Sequence, residues 1–209
     1  LFSGAGGLSQ GFRDAGFDII SAVEIDKNLS QTFRENFKKT KLFEKDISKV
    51  NSKDLLAKNS NVDIVIGGPP CQAYSLAGRS RMLGVGSKIS DLANTSGKDL
   101  RAQLASEFYK DKRHTLYLEY LNILCRYQPA IFVMENVKGL LSSKVDNNRI
   151  IELILKDLKK PGLALKSNSD LQYKLYGLAG SGLPGIIEDP REFIVKAEDF
   201  GIPQARHRI

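Results

Sequence analysis

At 209 residues the chain has room for one domain with a substantial core and little for a second. Its 42% hydrophobic and 26% charged residues are a globular balance, and no window reaches the roughly 20 apolar residues that a membrane span needs. The net charge of +7 and pI of about 9.3 permit a nucleic-acid partner without requiring one, while two cysteines, Cys71 and Cys125, exclude a disulfide framework. Two His and two Cys, widely separated, also argue against a structural zinc site, so no metal is expected. A reducing, cytoplasmic location follows from the cysteine usage.

In chain order, short apolar runs alternate with segments of helical period, the pattern of a parallel βαβ sheet. The strand segments read as Asp18–Val23, a brief one near Leu42–Phe43, Val62–Gly67, Ala130–Glu135 and Phe193–Ala197. The run Ile131, Phe132, Val133, Met134 predicts a central strand buried on both faces. Helical stripes fall at Leu29, Phe33 and Phe37, then at Leu116, Tyr120, Leu121 and Leu124, then at Ile151, Ile154, Leu155 and Leu158, the last ended by Lys160-Pro161-Gly162. Two segments carry no period: Ala77–Asp111, too long for an ordinary connection, and the Gly/Pro-rich Gly177–Pro190. Between Leu76 and Arg113, eight Lys/Arg face four acids, which puts +4 of the net charge in one segment. The chain reads as a fragment, opening at Leu1 at the tip of a strand and stopping at Ile209 as another strand begins.

Chemistry-bearing motifs lie at the strand ends. Leu1-Phe2-Ser3-Gly4-Ala5-Gly6-Gly7-Leu8 is a glycine turn leading into a helix, where a ligand can approach the backbone and a helix start favours a carboxylate. Glu24 ends the next strand and is placed for ribose hydroxyls; a solvated strand end is the plainer alternative. By itself the turn fits NAD, S-adenosylmethionine or a tight turn. Asp46 could receive an adenine amino group or simply cap a turn. Val62 to Gly68 is a buried strand entering Pro69-Pro70-Cys71-Gln72, in which two prolines hold a thiol at the sheet edge. Enzymes that methylate exocyclic amines need Asp or Asn before Pro-Pro; here Gly68 stands there and Cys71 follows, which points to covalent catalysis at carbon. Met134-Glu135-Asn136-Val137 ends another apolar strand with a carboxylate that could approach Cys71, and such a group is costly there unless paired. In Gly201-Ile202-Pro203-Gln204-Ala205-Arg206-His207-Arg208, an extended segment would point Arg206 and Arg208 to one side, for a carbonyl or phosphates or merely for solvent.

Taken together, these motifs closely resemble the cytosine-5 DNA methyltransferase family, in the family's order and over nearly the whole chain. The resemblance implies a doubly wound, mostly parallel α/β fold of the S-adenosylmethionine-dependent, Rossmann-like type. It implies that Cys71 attacks C6 of a cytosine flipped out of duplex DNA, that Glu135 engages N3 and the exocyclic amine, and that Arg206 and Arg208 hold the base carbonyl and adjacent backbone. Phe2, Ser3, Gly4, Gly6, Gly7, Glu24, Ile25, Asp46, Ile47, Pro70 and Leu116 would line the S-adenosylmethionine site, which releases S-adenosylhomocysteine. Gln72, Ser75, Arg79, Arg81 and Asn136 would lie against the DNA. The basic stretch at about 76–113 corresponds to the family's mobile loop. On this reading 1–209 is one catalytic domain without its target-recognition region and final helix, so it binds DNA weakly and methylates poorly. A monomer, nucleoid-associated in a bacterium and paired with a cognate restriction endonuclease, completes the expectation. Rival readings are a tRNA cytosine-5 methyltransferase, a non-catalytic cofactor-binding regulator, against which Cys71 and Glu135 argue, and an NAD-dependent oxidoreductase, which leaves the Pro-Pro-Cys and Glu-Asn-Val elements unexplained.

Overall fold

The computed structural model describes residues 1–56, 61–70, 112–145, 148–177 and 189–209, with the backbone alone for 112–115, 144, 145 and 148. Cys71, Gln72, Ser75, Arg79, Arg81 and the excursion at 77–111 lie outside the described residues, as does most of the one at 177–190. The chain divides into two units, Leu1–Pro69 with Leu116–Glu135 and Pro70–Thr115 with Asn136–Ile209.

In the first unit, two parallel ladders pair β1 (Ser21–Glu24) with β2 (Lys41–Glu44) and β3 (Ile64–Gly67) with β4 (Ile131–Met134). The opening residues lie between them: Leu1 N donates to Ile66 O at 2.7 Å and Ser3 N to Val23 O at 3.1 Å. The lateral order is therefore β2, β1, residues 1–3, β3, β4. Chain order reverses at the opening segment, the switch point at which doubly wound α/β sheets bind ligands. Parallel neighbours need crossovers, and the helices supply them: α2 (Lys27–Asn36) between β1 and β2, and α3 (Lys112–Tyr127) before β4.

The helices are pinned by aromatic packing. Helix α1 (Gly7–Asp14) starts at Gly6, where φ is 98° and an added Cβ would lie 2.5 Å from Phe37 Cε2. Only glycine fits there, because Phe33 and Phe37 stack at 4.4 Å directly beneath. The expected α2 stripe is partly displaced: Phe33 and Phe37 are buried, but the third buried member is Ser30, and Leu29 is exposed. Tyr120 of α3 is fully buried, with its hydroxyl 3.2 Å from Val133 O and 3.4 Å from Val65 O. This explains how α3 is fixed on the β3–β4 ladder. Leu121 and Leu124 are buried with it, as the helical period predicts, and Leu116 is half-buried.

Complete burial of Ile131–Met134 is not realised. Ile131 is 54% exposed and its three followers half-buried, because among the described residues β4 pairs with β3 alone.

The second unit is built around α4 (Ile150–Lys159), whose buried residues Ile150, Ile151, Ile154 and Leu158 follow the predicted face. Pro161 ends that helix as expected but also opens a further one, α5 (Pro161–Ala164), since proline suits the first helical position. Short antiparallel pairs complete the unit: β5 (Lys144–Val145) with β6 (Asn148–Arg149), and β7 (Val195–Lys196) with β8 (His207–Arg208). The predicted strand Phe193–Ala197 shrinks to two residues because Asp189 caps a 3-10 turn over Pro190–Phe193. With its parallel ladders and helical crossovers, the fold is doubly wound, mostly parallel α/β.

Candidate active site

The glycine turn and Glu24 form one arrangement at the carboxyl end of the sheet in the first unit. Gly4 N donates to Glu24 Oε2 at 2.7 Å, and Ile25 N and Asp26 N both donate to Glu24 Oε1 at 2.9 Å. Three backbone amides thus compensate a carboxylate that is only 9% exposed, where an unpaired charge would be strongly unfavourable. Each carboxylate oxygen has two lone pairs, so Oε1 is filled and one acceptor site remains on Oε2 for a ligand hydroxyl. Phe2 and Gly4 adopt positive φ of 53° and 55°, and among the described residues a Cβ at Gly4 would meet nothing within 4 Å, so none of them closes off the turn. Ser3 Oγ points back to Val23 O.

Beyond β1, Ile25 is 64% and Leu29 41% exposed, two apolar side chains that the described residues leave uncovered shortly after Glu24 in the chain. Asp46 performs the capping role that the sequence leaves open, since its Oδ1 accepts from Ser48 N at 3.0 Å and Ser48 Oγ at 2.8 Å. Ile47 is buried in the core, whereas Pro70 and Leu116 are half-buried. A separate cavity of about 410 Å³ lies upstream along the same strands, lined by residues 18–23 and 62–66 among others, and excludes Glu24 and Gly67 from its walls.

The ends of β3 and β4 bring the second motif together. Gly67 is in register with Met134, and Glu135 N donates to Gly67 O at 2.9 Å, so Glu135 stands beside Gly68. A Cβ built at Gly68 would be 3.1 Å from Glu135 Oε2 and 3.4 Å from Glu135 O. The Glu135 carboxylate therefore lies against the bare backbone that leads into Pro69-Pro70-Cys71. The glycine noted in the sequence for the amide or acid it lacks is the position that leaves room for this side chain.

In the second unit, Asn136 exchanges two backbone bonds with Ile209, at 2.6 and 3.0 Å, and its side-chain oxygen accepts from Val137 N at 2.9 Å. It is only 6% exposed, so its side chain serves the local backbone. Val137 forms a bridge with Arg208. Residues Val137–Gly139 and Gln204–Arg208 line an open groove of about 460 Å³, in which Arg206 is exposed and Arg208 half-buried, as the alternating pattern partly anticipated. Arg208 Nη1 donates to His207 O at 2.8 Å. Sequence reasoning passed over Lys138, His207 and Glu198, which the fold joins: His207 Nε2 is 2.6 Å from Glu198 Oε1 and His207 Nδ1 is 3.4 Å from Lys138 Nζ. Only the charge of Lys138, three residues after Glu135, could have flagged it.

Comparison with known proteins places the chain in a family. The model of the C-5 cytosine-specific DNA methylase family matches residues 1–93 and 103–209. The chain is 38% identical over 162 residues to the Type II methyltransferase M.FnuDI of Fusobacterium nucleatum, covering 78% of this chain and 38% of that protein. It is 34% identical over 215 residues to M.AquIA of Picosynechococcus sp., covering 100% of this chain and 68% of the relative. Among solved structures, a putative DNA modification methyltransferase encoded within an E. coli prophage superposes with a TM-score of 0.59 at 26% identity, covering 99% of this chain and 43% of that one. The chain spans about two fifths of the length of M.FnuDI. With its motifs in family order on the matching fold, the chain belongs to the C-5 cytosine-specific DNA methylase family.

Proposed function

We propose that this chain carries the cofactor- and base-handling residues of an enzyme that methylates carbon 5 of cytosine in DNA, as the modification component of a restriction–modification system. The observation that carries the reading is the Glu135 carboxylate seated against Gly68 at the paired ends of β3 and β4, on the backbone that runs into Cys71. The family description, C-5 cytosine-specific DNA methylase, and the similarity to a putative DNA modification methyltransferase support DNA as the substrate.

The residues present suit S-adenosylmethionine. Glu24 is a pre-oriented acceptor for a ribose hydroxyl, Ile25 and Leu29 offer an apolar face for adenine, and the space above Gly4 admits a ligand to the backbone. Asp46 has Oδ2 left for the adenine amine, since both of its capping bonds fall on Oδ1. Phe2, Ser3, Gly6, Gly7, Pro70 and Leu116 complete the lining, whereas Ile47 lies in the core. When bound, the cofactor supplies an electrophilic methyl group on its sulfonium, which calls for no metal.

The target base leaves the stack to reach the site. The Cys71 thiolate adds to C6, forming a carbon–sulfur bond as the C5–C6 π pair moves into the ring. Glu135, acting as the acid, donates its proton to N3 and accepts from the exocyclic amine, so the displaced pair is taken up as a C4–C5 enamine and C5 becomes nucleophilic enough to take the methyl group. Loss of the C5 proton to water and departure of the thiolate restore the double bond. Arg206 and Arg208 hold the base carbonyl and neighbouring backbone, with Gln72, Ser75, Arg79 and Arg81 on the DNA side, while Asn136, being buried, braces the backbone after Glu135. A monomer acting in the cytoplasm on nucleoid DNA fits this role, with a cognate endonuclease as genetic partner. Among the described residues no helix is long and apolar enough to cross a membrane.

The test is a covalent trap. The protein is incubated with S-adenosylmethionine and duplex DNA containing 5-fluorocytosine, beside a Cys71→Ser control. A denaturation-resistant adduct that needs Cys71 is expected; an adduct with fluorinated tRNA in place of DNA would move the substrate to RNA, and none with either would overturn the mechanism.

A further inference from the structure

Lys138, His207 and Glu198 form a chain of contacts that the cytosine chemistry does not use. A lysine ammonium can only donate and a carboxylate can only accept, so the ring between them is satisfied in one form. That form is a neutral imidazole with its proton on Nε2, donating to Glu198 at 2.6 Å and accepting from Lys138 at Nδ1 across 3.4 Å. Glu198 is fixed in turn on the 3-10 helix Ala197–Phe200, which follows β7 directly. An otherwise free four-carbon side chain is thereby tethered at one spot.

That spot is on the groove between Val137–Gly139 and Gln204–Arg208. Among the described residues its lining holds Lys138, Arg206 and Arg208, the amide of Gln204 and no carboxylate, since Glu198 lies outside it. Arg206 is exposed and makes no ion pair among the described residues. Both walls are anchored by backbone, through the Val137–Arg208 bridge and the Asn136–Ile209 bonds, so the groove exists before any ligand arrives. An open, cationic, rigid-walled groove suits a phosphodiester, which is anionic, solvent-facing and met mostly by side chains that carry no sequence information.

We propose that this groove binds a backbone phosphate of the nucleic-acid substrate through Lys138 and Gln204, with His207, anchored on Glu198, as the positioning residue for Lys138. The proposal rests on the nucleic-acid reading above but not on the cytosine chemistry. A duplex of A·T pairs alone, which contains no cytosine, therefore separates the two.

Binding of the protein to that duplex is followed by fluorescence anisotropy across a salt series. Loss of one phosphate contact lowers the slope of log K against log salt by about 0.9, so Lys138→Ala should fall by about that amount. His207→Leu should behave likewise, and His207→Gln should retain the wild-type slope, because its amide can accept from Lys138 and donate to Glu198. A wild-type slope and affinity in Lys138→Ala overturns the proposal. So does weaker binding with an unchanged slope, or no binding of the wild type at low salt. A His207→Gln variant that behaves as His207→Leu overturns the positioning role. If the 5-fluorocytosine adduct forms but the Lys138→Ala slope is unchanged, the groove alone fails. If the slope changes but no adduct forms, the groove stands and the methylation reading fails.

Discussion

Adjacent glycines at the end of β3 should respond to the same substitution in opposite ways. At Gly67 an alanine Cβ would lie 2.7 Å from Leu1 O and 3.1 Å from Tyr120 Cε2, about 0.7 Å inside the 3.4 Å limit of ordinary contact. The obstacle is backbone held in the sheet and a fully buried ring, neither of which yields readily. Overpacking of this kind costs about 1–3 kcal/mol. At Gly68 the Cβ would lie 3.1 Å from Glu135 Oε2, only about 0.3 Å inside that limit, and the obstacle is the end of a side chain. Stability should then change by less than about 1 kcal/mol, as for most side chains that can adjust. The carboxylate, however, must move by a few tenths of an ångström. Misplacement of a reacting group by 1 Å can cost about a hundredfold, so on a logarithmic scale a third of that displacement costs roughly three- to fivefold in kcat/KM. Gly68→Val should cost more, because its larger side chain forces a larger displacement. The assay is methyl transfer to duplex DNA beside urea unfolding of each variant. Gly67→Ala should be destabilised and Gly68→Ala slowed at near-native stability. Full activity in Gly68→Ala, or an unfolding midpoint as low as that of Gly67→Ala, would refute the argument that Gly68 makes room for Glu135.

Glu24→Gln places an amide nitrogen against backbone donors on one side of the site, since Gly4 N bonds one oxygen and Ile25 N and Asp26 N the other. One orphaned buried donor costs about 1–3 kcal/mol, and replacing a charged acceptor by a neutral one should weaken S-adenosylhomocysteine binding about tenfold. Calorimetric titration and chemical denaturation test both, and unchanged affinity refutes the ribose role. For Glu198, its own backbone amide, the bond from His207 and the nearby Lys196 charge hold the carboxyl below the ordinary glutamate range. A depressed folded-state value stabilises above the unfolded pKa, and that contribution is lost as pH falls through the folded one. Carbon-13 NMR should find Glu198 titrating below a free glutamate, and titration at or above it contradicts the His207 contact.

Much of this fold is legible in the sequence because parallel strands and their helices carry strong periods. The four ladder strands fall within three residues of their expected boundaries, and the α3 and α4 faces follow theirs. The exceptions have local causes. Ile131 is exposed because hydrophobicity reports what a strand could bury, not how many neighbours it has. Leu29 lost its place to Ser30 because the buried arc of α2 is set by where Phe33 and Phe37 dock, which the period alone does not fix. At the site, Glu24 was readable from its distance to the glycine turn, and Glu135 from the cost of a carboxylate ending an apolar strand. Lys138 and His207 were not readable, because they are 69 residues apart and meet only through the pairing of residues 136 and 137 with 208 and 209. The groove is a product of that pairing, and no local motif announces it.

The most direct measurement is the product itself. The protein is incubated with isotopically labelled S-adenosylmethionine and duplex DNA, and the DNA is digested to nucleosides for mass spectrometry. Labelled 5-methyldeoxycytidine that disappears with Cys71→Ser is the predicted result. Label at an exocyclic nitrogen, or only in RNA offered alongside, would contradict the account.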